Sequence, residues 1–390
     1  MCGMIYDFDC YVERRGTDSV KWQHYGPEVL PLWVADMDFR SPEPVIEALQ
    51  QRVAHGILGY GAEPPGLRDV VVERLARLYG WHIGPEALLF VPGVVAGFNW
   101  ACRQLADPGD GVLVQTPVYP PMLTGHTHLG LSRQGMELTR GPDGRYTVDM
   151  DAFEAALKPE TRLFMLCNPH NPVGRVFTRA ELSDMAEACL RHDVTIISDE
   201  IHCDLIFPGH RHQPIAAIDP SIAQRTVTLI APSKTFNIAG LHSSVVIAEN
   251  PALRARLEDG RHELLSNVNI LGLVAALAAY RDGQPWLDAA LAYLTGNRDF
   301  LAQYVREQLP GIAMGLPEAT YLAWLDCRQS RIPGDPFRFF LSEARVALND
   351  GAAFGESGKG FVRLNFGCTR AILAEALDRM REALQKLENQ

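Results

Sequence analysis

Short apolar runs of strand length alternate with helix-like patterns from about residue 88 to residue 248. Leu88–Val91, Val112–Gln115, Leu163–Cys167, Val194–Ser198, Val227–Ala231 and Ser244–Ala248 are continuous and apolar, several rich in valine or isoleucine. That is the pattern of strands buried on both faces. Between them lie amphipathic stretches such as Gly97–Leu105 and Ala180–Leu190, the second preceded by Thr178 as a candidate N-cap. The alternation predicts right-handed βαβ crossovers, hence an α/β fold with a mainly parallel central sheet and helices on both faces. Ligands of such sheets sit beyond the carboxyl ends of the strands.

After residue 285 the pattern changes. A long helix over Trp286–Leu309, short strands near Thr320–Leu325 and Val362–Asn365 and a terminal helix predict a smaller α+β domain. The expected division is a segment 1–45 packing on the small domain, a large domain 46–284 and a small domain 285–390. No repeat or low-complexity linker interrupts the chain. A chain of 390 residues is long enough for two such cores.

Composition narrows the function. A net charge of −11, with no basic block longer than a pair, argues against nucleic acid or an anionic membrane as partner. No apolar run approaches the roughly 18 residues of a membrane span. The N-terminus has acids where a secretory signal would be basic, so a cytoplasmic location is expected. The eight scattered cysteines suggest buried small side chains rather than a zinc site or disulfide framework. His210 and His212 lack ligands at metal spacing and are expected in a polar loop; no metal is expected.

The candidate chemistry lies after the strands. Pro92-Gly93-Val94-Val95-Ala96-Gly97 is a small-residue turn opening a helix, and free amides there would cradle a phosphate. The next turns carry Tyr119, then Asn168-Pro169-His170-Asn171-Pro172-Val173-Gly174, then Asp199-Glu200-Ile201-His202, then Ser233-Lys234. Singly, each has an ordinary explanation: a loop closure, a core tyrosine, a helix cap, a solvated lysine. Together they supply an anion nest, an aromatic ring, an amide, a carboxylate and a lysine. Those are the types that pyridoxal 5′-phosphate (PLP) needs for its phosphate, ring face, O3′, ring nitrogen and aldehyde.

On these residues the sequence resembles fold-type I PLP enzymes, the aspartate-aminotransferase-like fold, over nearly its whole length. The family's Asn-Pro-x-Gly appears as Asn171–Gly174, its Asp-Glu as Asp199-Glu200, its Ser-Lys as Ser233-Lys234 and its late arginine as Arg363. The resemblance implies that Lys234 bonds the cofactor and that Asp199 pairs with the ring nitrogen. It implies further that Asn171 bonds O3′, that Tyr119 stacks on the ring, that His202 is a cofactor contact, and that Ser233 and the backbone at Val94 and Val95 hold the phosphate. Arg363, with Ala35 and Asn171, takes the substrate carboxylate. Tyr60 in Leu58-Gly59-Tyr60-Gly61 matches a tyrosine that reaches the partner's phosphate, implying a homodimer with shared sites.

The strings Leu30–Phe39, Ser198–His202 and Ala231–Leu241 resemble the MalY/PatB cystathionine β-lyase branch. His242 and His202 stand where aminotransferases of this fold usually have arginine and tyrosine, which favours a C–S β-lyase acting on an S-substituted L-cysteine. Two rivals share the anchors: an aminotransferase, and an enzyme that decarboxylates or oxidatively deaminates an S-cysteinyl conjugate. A PLP-binding regulator would need a DNA-binding module, for which no basic segment is present. A nicotinamide dehydrogenase lacks its Gly-x-Gly-x-x-Gly signature.

Overall fold

The computed structural model describes residues 6–259 and 261–388. Its central sheet has seven strands: β1 (Leu88–Val91), β2 (Gly111–Thr116), β3 (Ser132–Glu137), β4 (Thr161–Cys167), β5 (Thr195–Asp199), β6 (Thr226–Ile230) and β7 (Ser244–Ile247). The spatial order is β1-β7-β6-β5-β4-β2-β3. All neighbours are parallel except at β7, which runs antiparallel to β1 and β6.

Two points differ from the sequence expectation. The edge strand β3 (Ser-Arg-Gln-Gly-Met-Glu) was not anticipated. It buries only Gln134 and Met136, so it lacks the apolar run that marks a central strand. The strand at 244–247 also runs against the others, so its beginning, not its end, meets the carboxyl ends of its neighbours.

Alternate residues of each strand feed opposite layers. Leu163, Met165 and Cys167 face the helix α1 (Val94–Leu105) with Phe98, Ala101 and Leu105. Phe164 and Leu166 face α2 (Arg179–Arg191) with Leu182, Met185 and Cys189. α2 starts with a capping box between Thr178 and Glu181, which satisfies two otherwise free amides. α1 can lie close on the sheet because residue 97 is glycine: a Cβ there would meet Leu229 Cδ2 at 2.8 Å.

The later chain forms α3 (Gln284–Gln308), then a four-stranded antiparallel sheet, then α4 (Arg370–Glu388). That sheet contains β8 (Ala313–Met314), β9 (Leu322–Asp326), β10 (Asn349–Asp350) and β11 (Phe361–Asn365) in the order β8-β9-β11-β10. The N-terminal segment lies against this region: Leu30 and Pro31 pair in parallel with Val346 and Ala347, and the Asp38 amide donates to the Gly367 carbonyl. Among the described residues no helix is long and apolar enough to cross a membrane.

Candidate active site

A cavity of about 440 Å³ opens beyond the carboxyl ends of β1, β2, β4, β5 and β6. It is lined by every site residue expected from the sequence except Tyr60: Ala35, Val94, Val95, Tyr119, Asn171, Asp199, His202, Ser233, Lys234 and Arg363. Tyr60 is fully exposed on a loop elsewhere on the surface.

Local folding explains how these side chains arrive. Asp199 is the last residue of β5, paired with Cys167 of β4 on one side and Leu229 of β6 on the other. The chain after β6 makes one helical turn, Pro232–Thr235, which turns Lys234 into the cavity. Gly93, with φ 109°, opens α1 in a conformation that favours glycine, and no side chain caps the amides that follow. His242, at the reversed entry to β7, joins the wall here with Nδ1 near Gly93.

Burial shapes the charges. The Lys234 amine donates to the Ala35 carbonyl at 2.7 Å. Burial, with Arg363 adding to it, pulls its pKa down to about 8. Asp199 is buried, accepts from the Ile201 amide at 3.1 Å and is pushed up to about 7, burial being the main cause. His202 is held neutral, its pKa drawn down to about 3 by burial and the nearby Lys234 and Arg363 charges; its Nδ1 has no partner. Burial raises the Tyr119 phenol as well.

Arg363, on β11, is 4% exposed. Its guanidinium donates to Asn171 Oδ1 at 3.0 Å, Asn349 Oδ1 at 2.6 Å and the Trp33 carbonyl at 3.0 Å, and lies 4.9 Å over the Phe354 ring. All three acceptors are neutral. Burial lowers its pKa to about 10, and the described groups that offset this are the phenols of Tyr119 and Tyr321, not a carboxylate. A buried guanidinium balanced in this way is a receptor for an anionic ligand group.

These features fit PLP. Among the described residues no cation forms an ion pair with the buried Asp199 carboxylate, which a protonated ring nitrogen would satisfy. The Gly93 turn offers amides to a phosphate. Arg363, with only neutral acceptors among the described residues, leaves room for a second anionic group.

The sequence resemblance marks Ala35 alone in the strap formed by residues 33–36. Its carbonyls take donors from the site: Trp33 from Arg363, Ala35 from Lys234 and from the Tyr321 hydroxyl (2.9 Å), and Val34 and Asp36 from Asn365. Carbonyl contacts leave no residue signature, although the string Leu30–Phe39 pointed to the segment. The string's two acids serve the strap itself. Asp36 pairs with Arg14 at 2.8 Å, and Asp38 pairs with Lys21 at 2.7 Å and accepts from Trp22 Nε1 at 2.8 Å. His212, expected in a polar loop, is instead buried, with Nε2 2.7 Å from Glu200 Oε2. Six cysteines are buried and Cys10 is exposed, while Cys2 lies outside the described residues.

The comparisons agree with this geometry. Cystathionine β-lyase PatB of Bacillus subtilis (strain 168) is 40% identical over 390 residues, covering 97% of this chain and 100% of that protein. The crystal structure of OvoB superposes with a TM-score of 0.93 at 44% identity, covering 97% of this chain and 99% of that one. Cystalysin of Treponema denticola, whose structure contains a pyridoxal 5′-phosphate cofactor, gives 0.94 at 33% identity over 98% and 100%. The family model "Aminotransferase class I and II" matches residues 27–380. The chain belongs to the class I and II aminotransferase family, in the aspartate-aminotransferase-like fold.

Proposed function

We propose that this chain is a PLP-dependent carbon–sulfur β-lyase that cleaves S-substituted L-cysteines to a thiol, pyruvate and ammonia. One observation carries the reading. A half-buried lysine whose amine lies in the cavity, a buried carboxylate and a buried arginine, the last two with no ion-pair partner among the described residues, converge on one cavity, in a chain 40% identical to a cystathionine β-lyase.

When bound, PLP supplies an electron-poor ring that accepts the electron pair left at the substrate Cα. The chain's residues do the rest. Lys234 would hold the aldehyde, Asp199 the ring nitrogen, Tyr119 a ring face, Asn171 and His202 the O3′ side, and Ser233 with the Val94 and Val95 amides the phosphate. Arg363 orients the α-carboxylate, and so turns the Cα–H bond toward Lys234. Lys234, when not bonded to the cofactor, would take the Cα proton, and a pKa near 8 leaves part of the free amine unprotonated at neutral pH. The thiolate departs from Cβ. A thiol pKa of about 8.5 makes that departure need little acid assistance. Water then converts the released aminoacrylate to pyruvate and ammonia.

The domain limits 1–45, 46–284 and 285–390 divide the labour in this reading: the large part grips the cofactor, the small part the substrate. The homodimer is part of the same proposal. Tyr60 is fully exposed, and Val53, Ile57 and Leu58 beside it are more than half exposed, an apolar surface suited to a second copy. Across it Tyr60 would reach the partner's phosphate.

The deciding experiment supplies the purified protein with several S-substituted cysteines and no keto acid, and measures pyruvate and thiol. Stoichiometric release of both is expected. Product formation that depends on added keto acid would assign an aminotransferase instead, and carbon dioxide release a decarboxylating variant.

A further inference from the structure

We propose that His170 is a positioning residue that fixes the Tyr119 ring relative to the Asn171–Arg363 pair, an inference that rests on the cofactor reading above. His170 is fully buried, with Nε2 2.7 Å from the Pro117 carbonyl and Nδ1 3.1 Å from the Cys167 carbonyl. Pro117 lies two residues before Tyr119, on the turn after β2. Cys167 ends β4, whose following turn carries Asn171. One imidazole therefore spans two turns that deliver different parts of the site.

The His170 turn is rigid. The His170 amide donates to the Arg175 carbonyl and the Gly174 amide to the His170 carbonyl, both at 2.8 Å. Arg175 is in turn locked to Glu318 at 2.8 Å. The Tyr119 turn has fewer ties. Its Val118 amide donates to the Phe354 carbonyl at 2.9 Å, and the Phe354 ring lies under Arg363. The His170 ring is the link from the rigid turn to the other.

A neutral imidazole carries one N–H and can serve one of two facing carbonyls. The Pro117 contact is the shorter of the two, and we take Nε2 as the donor to it. Burial, the larger influence, and the neighbouring Arg175 charge favour the neutral ring and draw its pKa to about 4. The bond thus persists across the working pH range, and the Phe177 ring supports it edge-on at 5.8 Å.

The test uses PLP-loaded enzyme. His170→Phe keeps a ring but removes the donor; His170→Gln keeps an N–H. The Phe variant should lose roughly 10–100-fold in kcat, as a small misplacement of reacting groups does. KM should change less, and the visible circular dichroism of the bound cofactor should alter. The Gln variant should recover much of both. Wild-type kcat and dichroism in the Phe variant, or equal losses in the two variants with unaltered dichroism, would overturn the proposal. If the variants do not fold, nitrogen NMR of wild-type enzyme with labelled histidine decides: a proton on Nε2 supports it, and an unprotonated Nε2 overturns it. Failure of the lyase reading would appear separately, as wild-type enzyme making no pyruvate.

Discussion

The two sides of the cavity are built by opposite means. On the side proposed for the cofactor, Asp199 ends β5 and Asn171 and Lys234 stand on the turns after β4 and β6, three adjacent parallel strands whose residues are almost all buried. On the side proposed for the substrate, Arg363 comes from a separate small sheet, and its setting depends on a backbone strap that arrives from the other end of the chain. The first side gains its precision from a packed core. The second gains it from hydrogen bonds to single carbonyls and amides. Loss of a group on the first side should therefore damage chemistry, and loss on the second side should damage recognition.

Lys234→Ala is the strongest break. It removes both the cofactor bond and the base, so kcat should fall by at least about 10⁴-fold. Borohydride reduction of wild-type enzyme followed by peptide mapping should tag Lys234, and a tag on another lysine would remove its role. Asp199→Asn should keep the cofactor, whose phosphate contacts are untouched, yet lose about 10³-fold in kcat, as the loss of one preorganised electrostatic partner does. Activity within a few-fold of wild type would exclude Asp199 as the ring-nitrogen partner. Arg363→Ala should leave the cofactor spectrum intact and cost about 3 kcal/mol in kcat/KM, about 10²-fold and mostly in KM. An unchanged KM for an S-alkyl cysteine would contradict the division between the two sides.

The smallest effect concerns pH. An ordinary lysine titrates at about 10.4, but burial brings Lys234 to about 8. The ammonium form dominates below that value and cannot attack an aldehyde. Cofactor capture by the apoenzyme, followed by absorbance after mixing, should therefore slow about tenfold per pH unit below 8 and level off above it. A rise that continues to pH 10 would mean an unshifted amine.

The same contrast governs what the sequence makes legible. The cofactor side is written in continuous apolar runs ending in chemically marked turns, so its strands and residues can be read directly, within a residue or two at their ends. The long helix expected over 286–309 spans Gln284–Gln308, and the two later strands lie at Leu322–Asp326 and Phe361–Asn365. β3 escapes because an edge strand needs few apolar residues. Of the strap only Ala35 is marked, by resemblance, because the segment acts through carbonyls at Trp33, Val34 and Ala35, which any residue carries. Asn349 reaches the site through its register with Arg363, and Tyr321 touches the strap through the Ala35 carbonyl, relations that no local pattern encodes. His242 is visible as a departure from the family, and its place near Gly93 follows from the reversal of β7.

That reversal also bears on how the protein is made. β1 hydrogen-bonds only to β7 within the central sheet, so residues 88–91 must wait for residues 244–247 before they have a strand partner. A ribosome will have delivered the phosphate turn, Asp199 and Lys234 before that edge of the sheet can close. Arg363 emerges later still. Chain order alone therefore delivers the turns around Gly93, Asp199 and Lys234, and the strand that completes their sheet, before Arg363.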